Sequence, residues 1–306
     1  MPDSIAAAVL SERMMGLKPL PGLLMGIGAM KGGTSWLYEM LRCHPALECL
    51  PVKEIHYFWE CYGSFPLLSP EQRRATAASH LAGQLPDLAT EEIGPRFDWF
   101  KRYLADPVDD RWFTNLFCPR PETAFCVEFS NMSARLGPPT WTHMRRFTDR
   151  LRVLYAVRSP VRRLWSHARF HAAIIGYLDQ LPHLDSAGFA AFLEESGCFD
   201  HGRYSEVLSL MASELDPRDY LVLHSEAMAA DPYGVMRQIE AFLDLSPAQY
   251  PATLAAAQLN VSPGLAMPQA FASAAVPYVR RELDALAAIG FPVPPFWIED
   301  VQALAG

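Results

Sequence analysis

Lys31 sits in a run of glycines and hydroxyls, Gly28-Ala-Met-Lys-Gly-Gly-Thr-Ser-Trp36. Glycines let backbone N–H groups come close to a ligand, and a helix starting directly after them adds free N–H donors and a partial positive charge. Lys31 supplies a full one. Lys31, Gly32, Gly33, Thr34 and Ser35 thus form a candidate anion grip of the kind that holds a phosphate. The spacing departs from the nucleoside triphosphatase pattern, in which lysine directly precedes the serine or threonine. Counted from Gly28, Thr34 occupies the lysine position and Lys31 comes three residues early. Nor does an aspartate close the best later strand, since Leu151–Val157 runs into Arg158. A loop built for phosphate but lacking these magnesium ligands is expected to bind a nucleotide without metal.

The elements that must position this loop follow from the apolar pattern. Leu23, Leu24, Met25 and Ile27 suit a buried strand. Trp36, Leu37, Met40 and Leu41 share one face of a helix that Thr34 or Ser35 is able to cap and that His44-Pro45 ends. Leu47–Val52 is predicted to be a strand that delivers Lys53, Glu54 and His56 to the carboxyl edge of the sheet, where ligands bind in open α/β folds. Further strands are predicted at Thr123–Phe129, Leu151–Val157 and Tyr220–His224. Helices are predicted at 70–81, 97–104, 133–147, 160–174, 189–195, 204–215, 231–243 and 277–289, with Pro160 favoured in its first turn. Arg73 and Arg74 read as a solvated face, and Trp99, Phe100 and Tyr103 as core or, alternatively, as the lining of a pocket. The fold class expected is α/β, a P-loop-like central parallel sheet flanked by helices.

A chain of 306 residues that is 50% hydrophobic can bury a large core. One domain over 1–306 is expected, with 1–20 as an N-terminal extension, because no linker, low-complexity run or repeat marks a boundary. The apolar piece Ile5–Leu10 follows Asp3 and is too short for a membrane span, so a soluble, cytoplasmic protein is expected. Six cysteines without a CxxC pair suit reduced thiols. Cys43, His44, Cys49, His56 and Cys61 lie close in sequence but lack the short paired spacings of zinc sites, so no metal is expected. A net charge of −8 argues against nucleic acid or a long acidic polysaccharide as partner and favours a small neutral or cationic one. The basic residues concentrate between Arg145 and Arg169.

Three segments resemble, in order, the motifs of sulfotransferases that use 3′-phosphoadenosine 5′-phosphosulfate (PAPS), and they span residues 23 to about 170. Lys31-Gly-Gly-Thr-Ser-Trp36 is similar to the family's 5′-phosphosulfate loop. Lys53-Glu54-Ile-His56-Tyr-Phe58 is similar to the Lys-Glu-Pro-His-Phe-Phe segment of the carbohydrate-type branch. Arg158-Ser-Pro-Val-Arg-Arg-Leu-Trp-Ser166 is similar to the 3′-phosphate motif. The resemblance implies in-line transfer of a sulfuryl group from PAPS to a hydroxyl or amine of a small-molecule or glycoconjugate acceptor. It places Lys31 and the N–H groups of 32–35 on the 5′-phosphate and the bridging oxygen, and Arg158 and Ser166 on the 3′-phosphate. Trp36 would stack on adenine or, as an ordinary helix residue, sit in the core. Glu54 would be the base, Lys53 would orient the glutamate or the sulfonate, and His56 would be an alternative base, an acceptor-binding group or a structural histidine. The absence of an evident anchor points to a bacterial-type enzyme.

Two departures accompany the resemblance. Phe129 and Asn131 stand where the family often has the lysine and proline of Glu-Lys-Ser-Pro, and the lysine contributes to the active site there. No lysine follows Lys101, so residues 246–306 are expected to cover the nucleotide without the family's basic loop, with Asn260–Gly264 as the candidate. Two readings compete: a P-loop kinase or nucleotide-binding protein without sulfuryl transfer, and a non-catalytic module. The presence of both Lys31 and Glu54 argues against the module.

Overall fold

The computed structural model describes residues 19–84, 89–259, 262 and 264–305. The central element is β1 (Leu23–Gly28), every residue of which is buried. Its alternate side chains feed two layers. Leu23, Met25 and Ile27 pack with Tyr57, Phe113 and Trp141 on one face of the sheet; Leu24 packs with Leu37, Val235 and Ile239 on the other. A parallel strand covered on both faces needs this continuous apolar run, and each aliphatic side chain so buried contributes about 2 kcal/mol of transfer free energy.

After β1 come α1 (Thr34–Arg42), β2 (Leu47–Cys49), α2 (Tyr57–Tyr62), α3 (Pro70–Gln84), α4 (Thr90–Tyr103), α5 (Asp110–Asn115) and β3 (Phe125–Phe129). A 3-10 turn at Asn131–Arg135 and α6 (Pro138–Met144) lead to β4 (Leu151–Val157), α7 (Pro160–Ile174), α8 (Ser186–Glu195) and α9 (Tyr204–Glu214). Then follow β5 (Tyr220–His224), α10 (Ser225–Ala230), α11 (Pro232–Phe242), α12 (Ala252–Ala255), α13 (Gln269–Ala288) and α14 (Pro295–Ala305). The five strands make one sheet in the order β2-β3-β1-β4-β5, all parallel. β1 is central, so the chain leaves it towards β2 and later crosses to β4 on its other side. Such a reversal opens a crevice at the carboxyl ends of the strands.

Several local expectations are corrected. The strand expected at Leu47–Val52 stops at Cys49, because the Leu50 carbonyl accepts the Tyr38 hydroxyl at 2.6 Å and Pro51 has no N–H. The helix expected at 133–147 is split where Leu136 becomes extended ahead of Gly137 and Pro138. The helix expected at 277–289 starts at Gln269 and runs through Pro277, and a further helix, α14, begins at Pro295. Arg73 is not solvated. It is 1% exposed and donates to the carbonyls of Leu68 (3.0 Å), Tyr103 (3.0 Å) and Ala105 (2.8 Å), tying α3 to the end of α4, while Arg74 is the exposed neighbour. Trp99, Phe100 and Tyr103 belong to the core, with Trp99 stacked on Tyr103.

Ile5–Leu10 lies outside the described residues. All six cysteines are free thiols. Among the described residues no helix is long and apolar enough to cross a membrane.

Candidate functional site

The loop between β1 and α1 is stitched onto neighbouring β4. Ala29 N donates to Ala156 O at 2.7 Å, and Gly32 lies so close to that carbonyl that a Cβ would stand 2.3 Å from it. Only glycine fits there. Lys31 (φ 66°) and Gly33 (φ 90°) are left-handed, which turns the chain sharply into α1. Gly33 adopts this without strain, whereas Lys31 does so at a cost of about 1–2 kcal/mol. Gly33 is also the N-cap, in place of the expected Thr34 or Ser35, because both hydroxyl residues already lie inside the helix. The first-turn N–H groups have no intrahelical acceptor and no acidic residue sits among them, so the positive end of α1 is not offset by its own side chains.

Because β1 pairs with β4, this loop and Arg158 emerge from the sheet side by side. Burial, then repulsion from Arg158, Arg169 and Lys53, lowers the Lys31 ammonium to about 8. Phe170 of α7 places its ring 4.5 Å from Lys31 Nζ, a cation–π contact. Burial also lowers the Arg158 guanidinium, and the Tyr204 hydroxyl pins its backbone by donating to Arg158 O at 3.0 Å. Much of the remaining basic stretch is taken up by structure. Arg146 pairs with Asp110 (3.0 Å), Arg152 with Asp219 (2.6 Å) and Arg162 with Asp300 (2.7 Å), and Arg163 donates to Cys198 O (2.7 Å). Arg158 and Arg169 act on Lys31, and Glu226 in turn acts on Arg158. Arg169 is the site residue that sequence reading does not single out; its place three residues after Ser166 and next to Phe170 on one helix was the available signal.

Ser166 stands on the same helix, but its hydroxyl is buried and lies 2.9 Å from Ser262 Oγ, which in turn donates to Ser166 O at 2.9 Å. Ser262 belongs to the expected covering segment, of which Asn260, Val261 and Pro263 lie outside the described residues. Trp36 is 7% exposed and donates its indole N–H to Leu254 O at 3.1 Å, so most of its ring is in the second core layer.

The carboxylate set lies at the ends of β2 and β3. Lys53 Nζ donates to Glu54 Oε1, Asn131 N donates to Glu54 Oε2 at 2.8 Å, and His56 Nε2 is 3.8 Å from Oε2. Burial lowers the His56 imidazole, which is therefore neutral at pH 7, and its Nδ1 is buried without a partner among the described residues. Lys53 also acts on Lys31, so the carboxylate set adjoins the anion grip. Phe129 turns to the opposite face of the sheet, its ring 5.3 Å from Tyr38 in the α1 layer. The five soft-ligand residues between Cys43 and Cys61 do not converge; His44 Nε2, for one, is engaged by Ser246 O at 3.1 Å.

This arrangement puts an anion grip next to a carboxylate and an imidazole at one edge of a parallel sheet. The sulfotransferase domain family model matches residues 23–261, a span that includes both. The chain belongs to the sulfotransferase family. In structure it is similar to a sulfotransferase from Alicyclobacillus acidocaldarius, 20% identical with a TM-score of 0.61 over 90% of this chain and 98% of that one, which shows a shared fold. Weaker likenesses are to the sulfotransferase domain of the Synechococcus PCC 7002 olefin synthase (13% identity, TM-score 0.47, 91% and 96% covered) and to that of the curacin biosynthetic pathway (13%, 0.45, 90% and 100%). Comparison with curated proteins gives no match. In this sulfotransferase the family match ends before α13 and α14, so the partners those helices give to α7 lie beyond it.

Proposed function

We propose that this sulfotransferase takes PAPS as donor and transfers its sulfuryl group to the hydroxyl or amine of a small-molecule or glycoconjugate acceptor. The observation that carries the reading is the gathering of Lys31, Arg158 and Arg169 at the ends of β1 and β4 in a chain of net charge −8. Like charges held this close, with Lys31 lowered to about 8, call for a multiply charged anion to offset them. An adenosine carrying phosphate at both ends suits two adjacent grips. Lys31 and the N–H groups of Gly32, Gly33, Thr34 and Ser35 would hold the 5′ side, Arg158 and Ser166 the 3′-phosphate, and the exposed edge of Trp36 the adenine. PAPS supplies an activated sulfuryl group whose leaving group is a phosphate.

The chain's own residues do the rest by position and charge, as in loose phosphoryl transfer. Lys31 and the loop N–H groups stabilise the negative charge that grows on the leaving oxygen. Glu54 receives the acceptor's proton, with Lys53 and Asn131 N fixing its two oxygens and neutral His56 standing by as a second proton acceptor. No metal takes part in this scheme. One domain with residues 246–306 as its cover, in the reducing compartment that six free thiols suit, completes the proposal.

Thermal-shift measurement with adenosine 3′,5′-bisphosphate and with ATP–Mg²⁺, followed by transfer from PAPS to 4-nitrophenol, benzyl alcohol and benzylamine, tests it. The bisphosphate raises the melting temperature and ATP–Mg²⁺ does not. The reverse order supports a kinase and sinks the proposal.

A further inference from the structure

Four consecutive residues at the end of β3 each hold part of the loop that carries Glu54. Phe129 O accepts from Glu54 N at 2.8 Å, and Glu128 Oε1 accepts from Ile55 N at 3.3 Å. Ser130 Oγ accepts from His56 N at 2.8 Å, and Asn131 N donates to Glu54 Oε2 at 2.8 Å. Ser130 Oγ in turn donates to Glu128 Oε1. Glu54 (φ 64°) and His56 (φ 61°) are non-glycine residues with left-handed backbones, which persist only where the surroundings impose them. These contacts impose them. Burial raises the Glu128 carboxyl to about 8, so at neutral pH it braces the loop as an uncharged acid and adds no second negative charge beside Glu54.

We propose that Glu128–Asn131 is the positioning element for the Glu54 carboxylate and that the Asn131 N–H sets the orientation of that carboxylate. Lys53 occupies one lone pair of Oε1 and Asn131 N one of Oε2, which leaves each oxygen a lone pair for an incoming proton. Proline, which the related motif has at this place, has no N–H to give, so the contact belongs to this chain's Phe129–Asn131 departure. The inference rests on Glu54 being the base of the proposed reaction.

The geometry allows a clean test. Asn131 opens a 3-10 turn, a first-turn position that tolerates proline, and Ser130 before it is extended at φ −133°, ψ 107°, as a residue preceding proline must be. Asn131→Pro therefore deletes one N–H and little else, and Asn131→Ala, which keeps the N–H, is its reference. With PAPS and whichever of 4-nitrophenol, benzyl alcohol and benzylamine turns over fastest, kcat of Asn131→Pro falls about tenfold below that of Asn131→Ala, and the Kd for adenosine 3′,5′-bisphosphate differs by less than about twofold. In a Glu54→Gln background the kcat difference shrinks below about twofold, because the carboxylate being oriented is gone. Equal kcat in the two position-131 variants, or the same tenfold fall in both backgrounds, overturns the inference. Failure of the unmodified enzyme to transfer sulfuryl to any of the three probes instead overturns the functional reading, and the positioning role with it.

Discussion

At the carboxyl ends of β1 and β4, Lys31, Arg158 and Arg169 repel one another, and burial deprives Lys31 and Arg158 of much of their hydration. At the ends of β2 and β3, both oxygens of Glu54 and the backbone N–H groups of 54, 55 and 56 already have partners within the chain. In the first region like charges press on one another, with Glu226 beside Arg158 offsetting part of that repulsion; the second keeps its shape through bonds within the chain. The contrast suits a reaction in which one side waits for an anion and the other must present a proton acceptor at a fixed angle. It also explains why an acidic protein can carry an anion site: what counts is the local excess of cations, which net charge averages away.

The contrast breaks first at Lys31. Lys31→Gln is expected to lower single-turnover sulfuryl transfer at saturating PAPS by about 10³-fold, the scale for losing a donor aimed at developing charge. A loss below about tenfold would detach the loop from the chemistry. Glu54→Gln is expected to lower turnover by about 10²-fold with nucleotide affinity nearly intact, because only the second region is touched. Unchanged turnover removes Glu54 from the base role. Arg158→Ala should weaken adenosine 3′,5′-bisphosphate by about 10- to 100-fold by calorimetry and leave 5′-AMP much less affected, since only the former carries a 3′-phosphate. Equal losses for both ligands refute that assignment.

The smallest effect is in pH. The free enzyme's Lys31 loses its proton as pH rises through about 8, whereas a bound anion favours the charged form. Bisphosphate affinity should therefore fall by about tenfold between about pH 7 and 9, and binding near pH 8 should take up a proton, measured as a buffer-dependent binding enthalpy. Proton release on binding would contradict the sign.

What the sequence disclosed depended on the range of the interaction. The β1–loop–α1 unit and the Pro160 start of α7 are local patterns, and both stand where the pattern puts them. Arg73 reads as solvated in the sequence because its three carbonyl partners include Tyr103 and Ala105, some thirty positions away, so nothing nearby in sequence marks it as buried. Pro277, which the sequence places at the start of a helix, lies within α13, and Pro295 opens α14; single-residue propensity does not show which turn of a helix a proline will occupy. At the candidate site, the glycine-and-lysine pattern pointed to the Lys31 loop, and the resemblance to family motifs pointed to Glu54 and Arg158. The support from Glu128 to Asn131 was hidden because two of its contacts are made by backbone atoms, which no side-chain motif records.

The Asp300 carboxylate of α14 holds Arg162 with two bonds of 2.7 Å and also takes the hydroxyl of Ser159, the residue beside Arg158. The last described helix is thus anchored in the turn that presents Arg158, 141 positions upstream. Any strain put on that helix, from a fused tag or a cut that removes it, is delivered to the turn beside Arg158 before it reaches the sheet.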